Sequence, residues 1–62
     1  MKDKWIYDYF LHQLRLTCQA FEQHSTMLKE ILDDDMRGQL EQARQYEINR
    51  MYNLCRLIKQ VK

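Results

Sequence analysis

Asp33-Asp34-Asp35-Met36-Arg37-Gly38 is where the helical rhythm of this 62-residue chain breaks. Three successive aspartates are unfavourable at a helix C-terminus, where the macrodipole places partial negative charge, and favourable at an N-terminus. The stretch therefore reads as a turn over residues 33–37 between two helices, with Asp34 or Asp35 capping the second. Gly38, the single glycine, falls in the first turn of that helix, where it costs less than further in.

On the N-terminal side, Tyr7, Leu14, Phe21 and Leu28 recur every seven residues, and Phe10, Thr17, His24 and Ile31 follow each by three. This a/d seam is sustained for four heptads and predicts a helix over about 3–32, with Asp3 as its N-cap. Ile6, Ala20 and Met27 widen the seam on one side, and Leu11, Cys18 and Leu32 on the other. Such a face suits a bundle better than a two-stranded coil. His24-Ser25-Thr26 is a polar weak spot, but Leu28 and Ile31 keep the phase, so the helix is expected to run through it.

The second apolar stripe, over about 36–61, holds Met36, Leu40, Ala43, Ile48, Met51, Leu54, Cys55, Ile58 and Val61. Arg44 and Glu47 interrupt it. Folded back at the turn, facing positions sum to about 72, which sets His24 level with Glu47 and close to Arg44. A polar layer of His24, Arg44 and Glu47 is expected to fix register or oligomeric state; its functional counterpart is a protonation switch at His24. By the same register Cys18 lies almost level with Cys55. Without a secretion signal, buried reduced thiols are expected over a bridge.

The expected fold is all-α: one helical-hairpin domain over residues 1–62, too short to cover both of its apolar faces and therefore expected to dimerise into a four-helix bundle. Its dimer core would comprise Tyr7, Phe10, Leu14, Phe21, Leu28 and Ile31 with Leu40, Ile48, Met51, Leu54, Ile58 and Val61. The absence of proline and a composition 45% hydrophobic and 31% charged suit neither a loop-rich fold, a disordered tail nor a membrane span. Acidic residues near the N-terminus fit no signal core, so a cytoplasmic protein is expected.

Catalysis finds no support in the motifs: there is no phosphate loop or nucleophile elbow, and Cys18 and His24 stand too far apart on a helix to act as a pair. Neither metal-ligand spacings nor a cofactor motif occur, and the aspartates serve capping better than cation binding. Binding is the expected role. Trp5, Tyr9, His12 and Leu16 line the side of helix one turned from its seam, and Trp and Tyr commonly anchor interfaces. These four are the candidate partner-binding residues of a small adaptor or regulator of bacterial, plasmid or phage type. Its expected partners are a second copy and another protein.

The alternative is nucleic-acid binding. Residues 1–35 hold four Lys/Arg against seven Asp/Glu, whereas residues 36–62 hold six against two. Asn49, Arg50, Asn53, Arg56 and Lys59 on helix two are types that contact phosphates and bases. Glu41 and Glu47 dilute that field, and the chain's net charge is only +1. A solvated helix face is the simpler reading.

Overall fold

A computed structural model describes residues 4–61. It consists of two helices, α1 (Lys4–Glu30) and α2 (Asp34–Val61), packed antiparallel as a hairpin whose Cα atoms span 49 × 14 × 11 Å. Leucine, glutamine, glutamate, arginine and lysine dominate both segments, and neither contains proline. The expected N-cap Asp3 lies outside the described residues.

α1 is continuous through His24-Ser25-Thr26. The Ser25 hydroxyl donates to the Phe21 carbonyl at 2.8 Å, and that of Thr26 to the Glu22 carbonyl at 3.1 Å. Both hydroxyls are thus satisfied by their own helix without opening the backbone ladder. Thr17 is buried in the same manner, its hydroxyl donating to the Gln13 carbonyl at 2.8 Å.

The turn is tighter and earlier than residues 33–37. Only residues 31–33 are non-helical, and the cap is Asp33 instead of Asp34 or Asp35. The Met36 N–H donates to Asp33 Oδ1 at 3.0 Å, and the Arg37 N–H to the Asp33 carbonyl at 3.0 Å. An N-cap three residues before its bonded amide leaves Asp34 and Asp35 in the first turn, where their charges meet the positive end of the dipole. Gly38 consequently sits in the second turn, with ordinary negative φ and nothing within 4 Å of where a Cβ would stand.

Arg37 closes the other side of the turn. Its Nη1 donates to the Leu28 carbonyl at 2.6 Å and to the Ile31 carbonyl at 3.0 Å. Leu28 is in the last turn of α1 and Ile31 directly follows it, where carbonyls lack partners within the helix, and a guanidinium there also meets the negative end of the dipole. Arg37→Ala is expected to lower the unfolding free energy by about 1–3 kcal/mol, the range for hydrogen bonds to a charged group. Urea unfolding followed by helical circular dichroism measures it; a change below about 0.5 kcal/mol, typical of plain surface sites, would remove Arg37 as a cap.

The core is thin. Among the described residues, Leu28 and Leu54 are the buried apolar side chains, Thr17 and Glu47 the buried polar ones, and no large side chain is completely enclosed. On α1 the seam holds the expected phase, with Tyr7, Phe10, Leu14, Phe21 and Ile31 half-buried. On α2 the seam runs Leu40, Arg44, Glu47, Met51, Leu54, Ile58, Val61, at alternating spacings of four and three. Ile48, expected in the dimer core, is exposed in the hairpin, as are Met36 and Cys55 of the expected apolar stripe. Ile48 and Cys55 each follow a seam residue by one position, and a step of about 100° carries them out of the groove.

Candidate binding surface

The polar layer comes together inside the hairpin. His24 Nδ1 lies 2.8 Å from Glu47 Oε2, and the Arg44 guanidinium carbon sits 4.9 Å from the centre of the Phe21 ring. Glu47 is 8% exposed. The imidazole and carboxylate touch without the alignment of a hydrogen bond, and His24 Nδ1, Glu47 Oε1 and Arg44 Nε are all buried without a hydrogen-bonding partner. The cation over the ring partly offsets the desolvation of Arg44. The layer is polar, internal and incompletely satisfied.

The cysteines do not meet as the register suggested. The Cys18 thiol donates to Met51 Sδ at 3.3 Å, and Cys18 and Cys55 are both free. Cys55 lies one turn beyond Met51 and outside the seam. Among the described residues, no three His, Cys, Asp or Glu side chains cluster as a metal would require.

Contacts between the helices fix which flank of α1 lies beside which flank of α2. Arg50 Nη2 donates to Gln13 Oε1 at 3.4 Å, and a shallow depression near the turn is shared by Met27 and Ile31 of α1 with Met36, Gln39 and Leu40 of α2. On this side, helical spacing lines up Tyr9, Leu16, Ala20 and Met27 along α1 beside Gln39, Ala43, Tyr46, Arg50 and Leu57 along α2. Tyr9, Leu16, Met27, Tyr46 and Leu57 are all exposed. Gln23, Glu30 and Asn53 share these phases, so the charged side chains of this side are Arg50, which Gln13 holds, and Glu30 next to the turn. The Cys18–Met51 contact marks the opposite side, where the same spacing places Lys4, Asp8, Arg15, Glu22, Lys29, Glu41 and Lys59. One face of the hairpin is apolar and nearly chargeless; the other is densely charged.

No family model, curated protein or solved structure matches the chain. The surface itself therefore carries the functional reading.

Of the four residues expected to bind a partner, Trp5, Tyr9, His12 and Leu16 are all exposed. Tyr9 and Leu16 point along the chargeless face, whereas Trp5 and His12 turn toward its outer edge. Among the residues of the nucleic-acid alternative, Asn49, Asn53, Arg56 and Lys59 are exposed, and Asn49 accepts from Gln45 at 3.2 Å. Three arginines of α2 are occupied within the hairpin: Arg37 on the α1 carbonyls, Arg44 on Phe21 and Arg50 on Gln13. Sequence reasoning placed Leu57 with Tyr9 at the open end but missed Met27 and Tyr46 as companions of Tyr9 and Leu16. Their alignment follows only once the phase of the α2 seam is known.

Among the described residues no helix is long and apolar enough to cross a membrane.

Proposed function

We propose that the chain is a non-enzymatic protein–protein interaction module, a cytoplasmic adaptor or regulator of the kind found among bacterial, plasmid and phage accessory proteins. It works as a homodimer in which two hairpins form a four-helix bundle. The observation that carries this reading is the apolar, nearly chargeless face on a hairpin that buries two apolar side chains among its described residues. A contiguous surface of that kind marks an interaction site. Trp5 and His12 at its rim are the anchors for a different protein, since an exposed Trp beside an apolar patch is a common hot spot.

A protein partner is favoured over nucleic acid because Arg37, Arg44 and Arg50 are engaged by the hairpin's own groups. Arg56 and Lys59 remain as exposed cations of α2 in the described region, too few for the phosphate contacts that drive nucleic-acid affinity.

Light scattering coupled to size exclusion, run across a concentration series, tests the homodimer. The expected mass is twice the 7.7 kDa of the chain, and a constant monomer mass would remove this reading. Trp5→Ala/His12→Ala is expected to leave that mass unchanged while abolishing co-purification of a second protein from cells. Unaltered co-purification would clear these two residues of the role.

A further inference from the structure

We propose, building on the homodimeric reading above, that the chargeless face is the seat of the second copy, docked so that the turn of each hairpin lies over the open end of the other. Area, charge and shape each point to this arrangement.

The hairpin exposes 5204 Å². A compact monomer of 7.7 kDa exposes roughly 4300 Å² on the usual scaling of surface with mass. The excess, roughly 900 Å², is close to the ~800 Å² that each partner contributes to a standard stable interface. Two faces of this hairpin could supply that area, but the side bearing Asp8, Arg15, Glu22 and Lys29 would have to desolvate its charges. The other side would desolvate Arg50, with Glu30 at its turn end.

Charge along the rod sets the direction. The turn end holds Glu30, Asp33, Asp34, Asp35 and Glu41 against Lys29 and Arg37, and Arg37 is turned onto the α1 carbonyls. At the open end Lys4 is paired with Asp8 at 3.0 Å, which leaves Arg56 and Lys59 in excess. Two such rods attract when antiparallel and repel when their turns lie together.

A twofold axis crossing the middle of both helices then gives matched pairs. Leu16, next to the midpoint of α1, meets its own counterpart and the counterpart of Ala20, while Tyr9 faces the counterpart of Met27. On α2, Tyr46 and Arg50 straddle the midpoint, so each Arg50 comes over the Tyr46 ring of the other copy. The charge at the middle of the face thereby gains a cation–π partner in place of water.

The test compares Leu16→Glu with Ile48→Glu. The two side chains are 45% and 42% exposed in the hairpin and lie on opposite faces, so they cost its folding alike. Light scattering is expected to show a monomer for Leu16→Glu and an unchanged dimer for Ile48→Glu, each with wild-type helical circular dichroism. A dimeric Leu16→Glu beside a dimeric wild type overturns the choice of face while leaving the homodimer standing; a monomeric wild type overturns the homodimer itself.

For direction, Leu16→Cys in a Cys18→Ser/Cys55→Ser background is expected to cross-link to itself with a short bis-maleimide. Failure to do so, with cross-linking instead between Leu16→Cys and Leu57→Cys chains in a mixed dimer, would show that the turns lie at the same end and overturn the antiparallel arrangement.

Discussion

Leu54→Ala is expected to lower the unfolding free energy by about 2–3 kcal/mol, the lower part of the range for buried leucine truncations. Leu54 is the most buried side chain at 5% exposure, and Leu28 at 8% is the other buried apolar residue. The lower part of the range applies because no large side chain here is completely enclosed, so the vacated volume can collapse or take up solvent. The consequence is nevertheless large. At roughly 0.05–0.15 kcal/mol per residue a chain of this length holds only about 3–9 kcal/mol in total, and one side chain carries a third or more of the lower half of that range. Leu54 also borders a shallow depression with Tyr46, Arg50 and Leu57, so the truncation thins the chargeless face from beneath. Urea unfolding at several protein concentrations is the measurement, with Leu32→Ala as control. Leu32 is 91% exposed and should change stability by less than about 0.5 kcal/mol. If the two variants were equal, packing between the helices would not be what holds the hairpin.

The seam of α1 was legible from its heptads because aromatic and aliphatic residues occupy nearly every position of it. The meeting of His24 and Glu47 was expected from a turn centred near residue 36, and their side chains meet although the turn lies earlier, at residues 31–33. The phase of α2 was less legible. Hydrophobicity alone groups Ile48 and Cys55 with the apolar stripe, whereas the alternating spacing from Leu40 to Val61 gives the seam to Arg44 and Glu47 and swings those two residues outward. Glu47 is buried because Leu40, Met51, Leu54 and Ile58 of the same stripe hold the helix against α1, an override of a single residue's preference by the packing of the whole helix. The capping of α1 by Arg37 could not be read from sequence, because it depends on how closely the turn brings a side chain of one helix to the carbonyls of the other. The proximity of Leu57 to Tyr9 at the open end followed from antiparallel folding, but Tyr46 joins Tyr9 and Leu16 only when both helical phases are fixed.

Replacing both His24 and Glu47 by leucine is expected to raise the unfolding free energy by about 1–3 kcal/mol, whereas Glu47→Ala alone lowers it by about 1–3 kcal/mol. The signs differ for one physical reason. Glu47 and His24 have been withdrawn from water, with Oε1 and Nδ1 left without hydrogen bonds, and their contact at 2.8 Å recovers only part of that desolvation. Removing one member leaves the other facing a void or an unpaired group. Removing both replaces the unsatisfied atoms by dispersion contacts along the seam. Arg44 keeps its place on the Phe21 ring in either case. A layer that costs stability is retained in some helical assemblies because it makes incorrect registers costlier still. The more stable double variant should accordingly be less specific in its association: light scattering should show higher oligomers beside the dimer, and amide NMR spectra should show more than one set of resonances. Denaturant unfolding of the wild type, the two single leucine variants and the double variant completes the cycle. A double variant less stable than both singles would mean that the layer stabilises the hairpin outright, and its role in choosing the register would lose its basis.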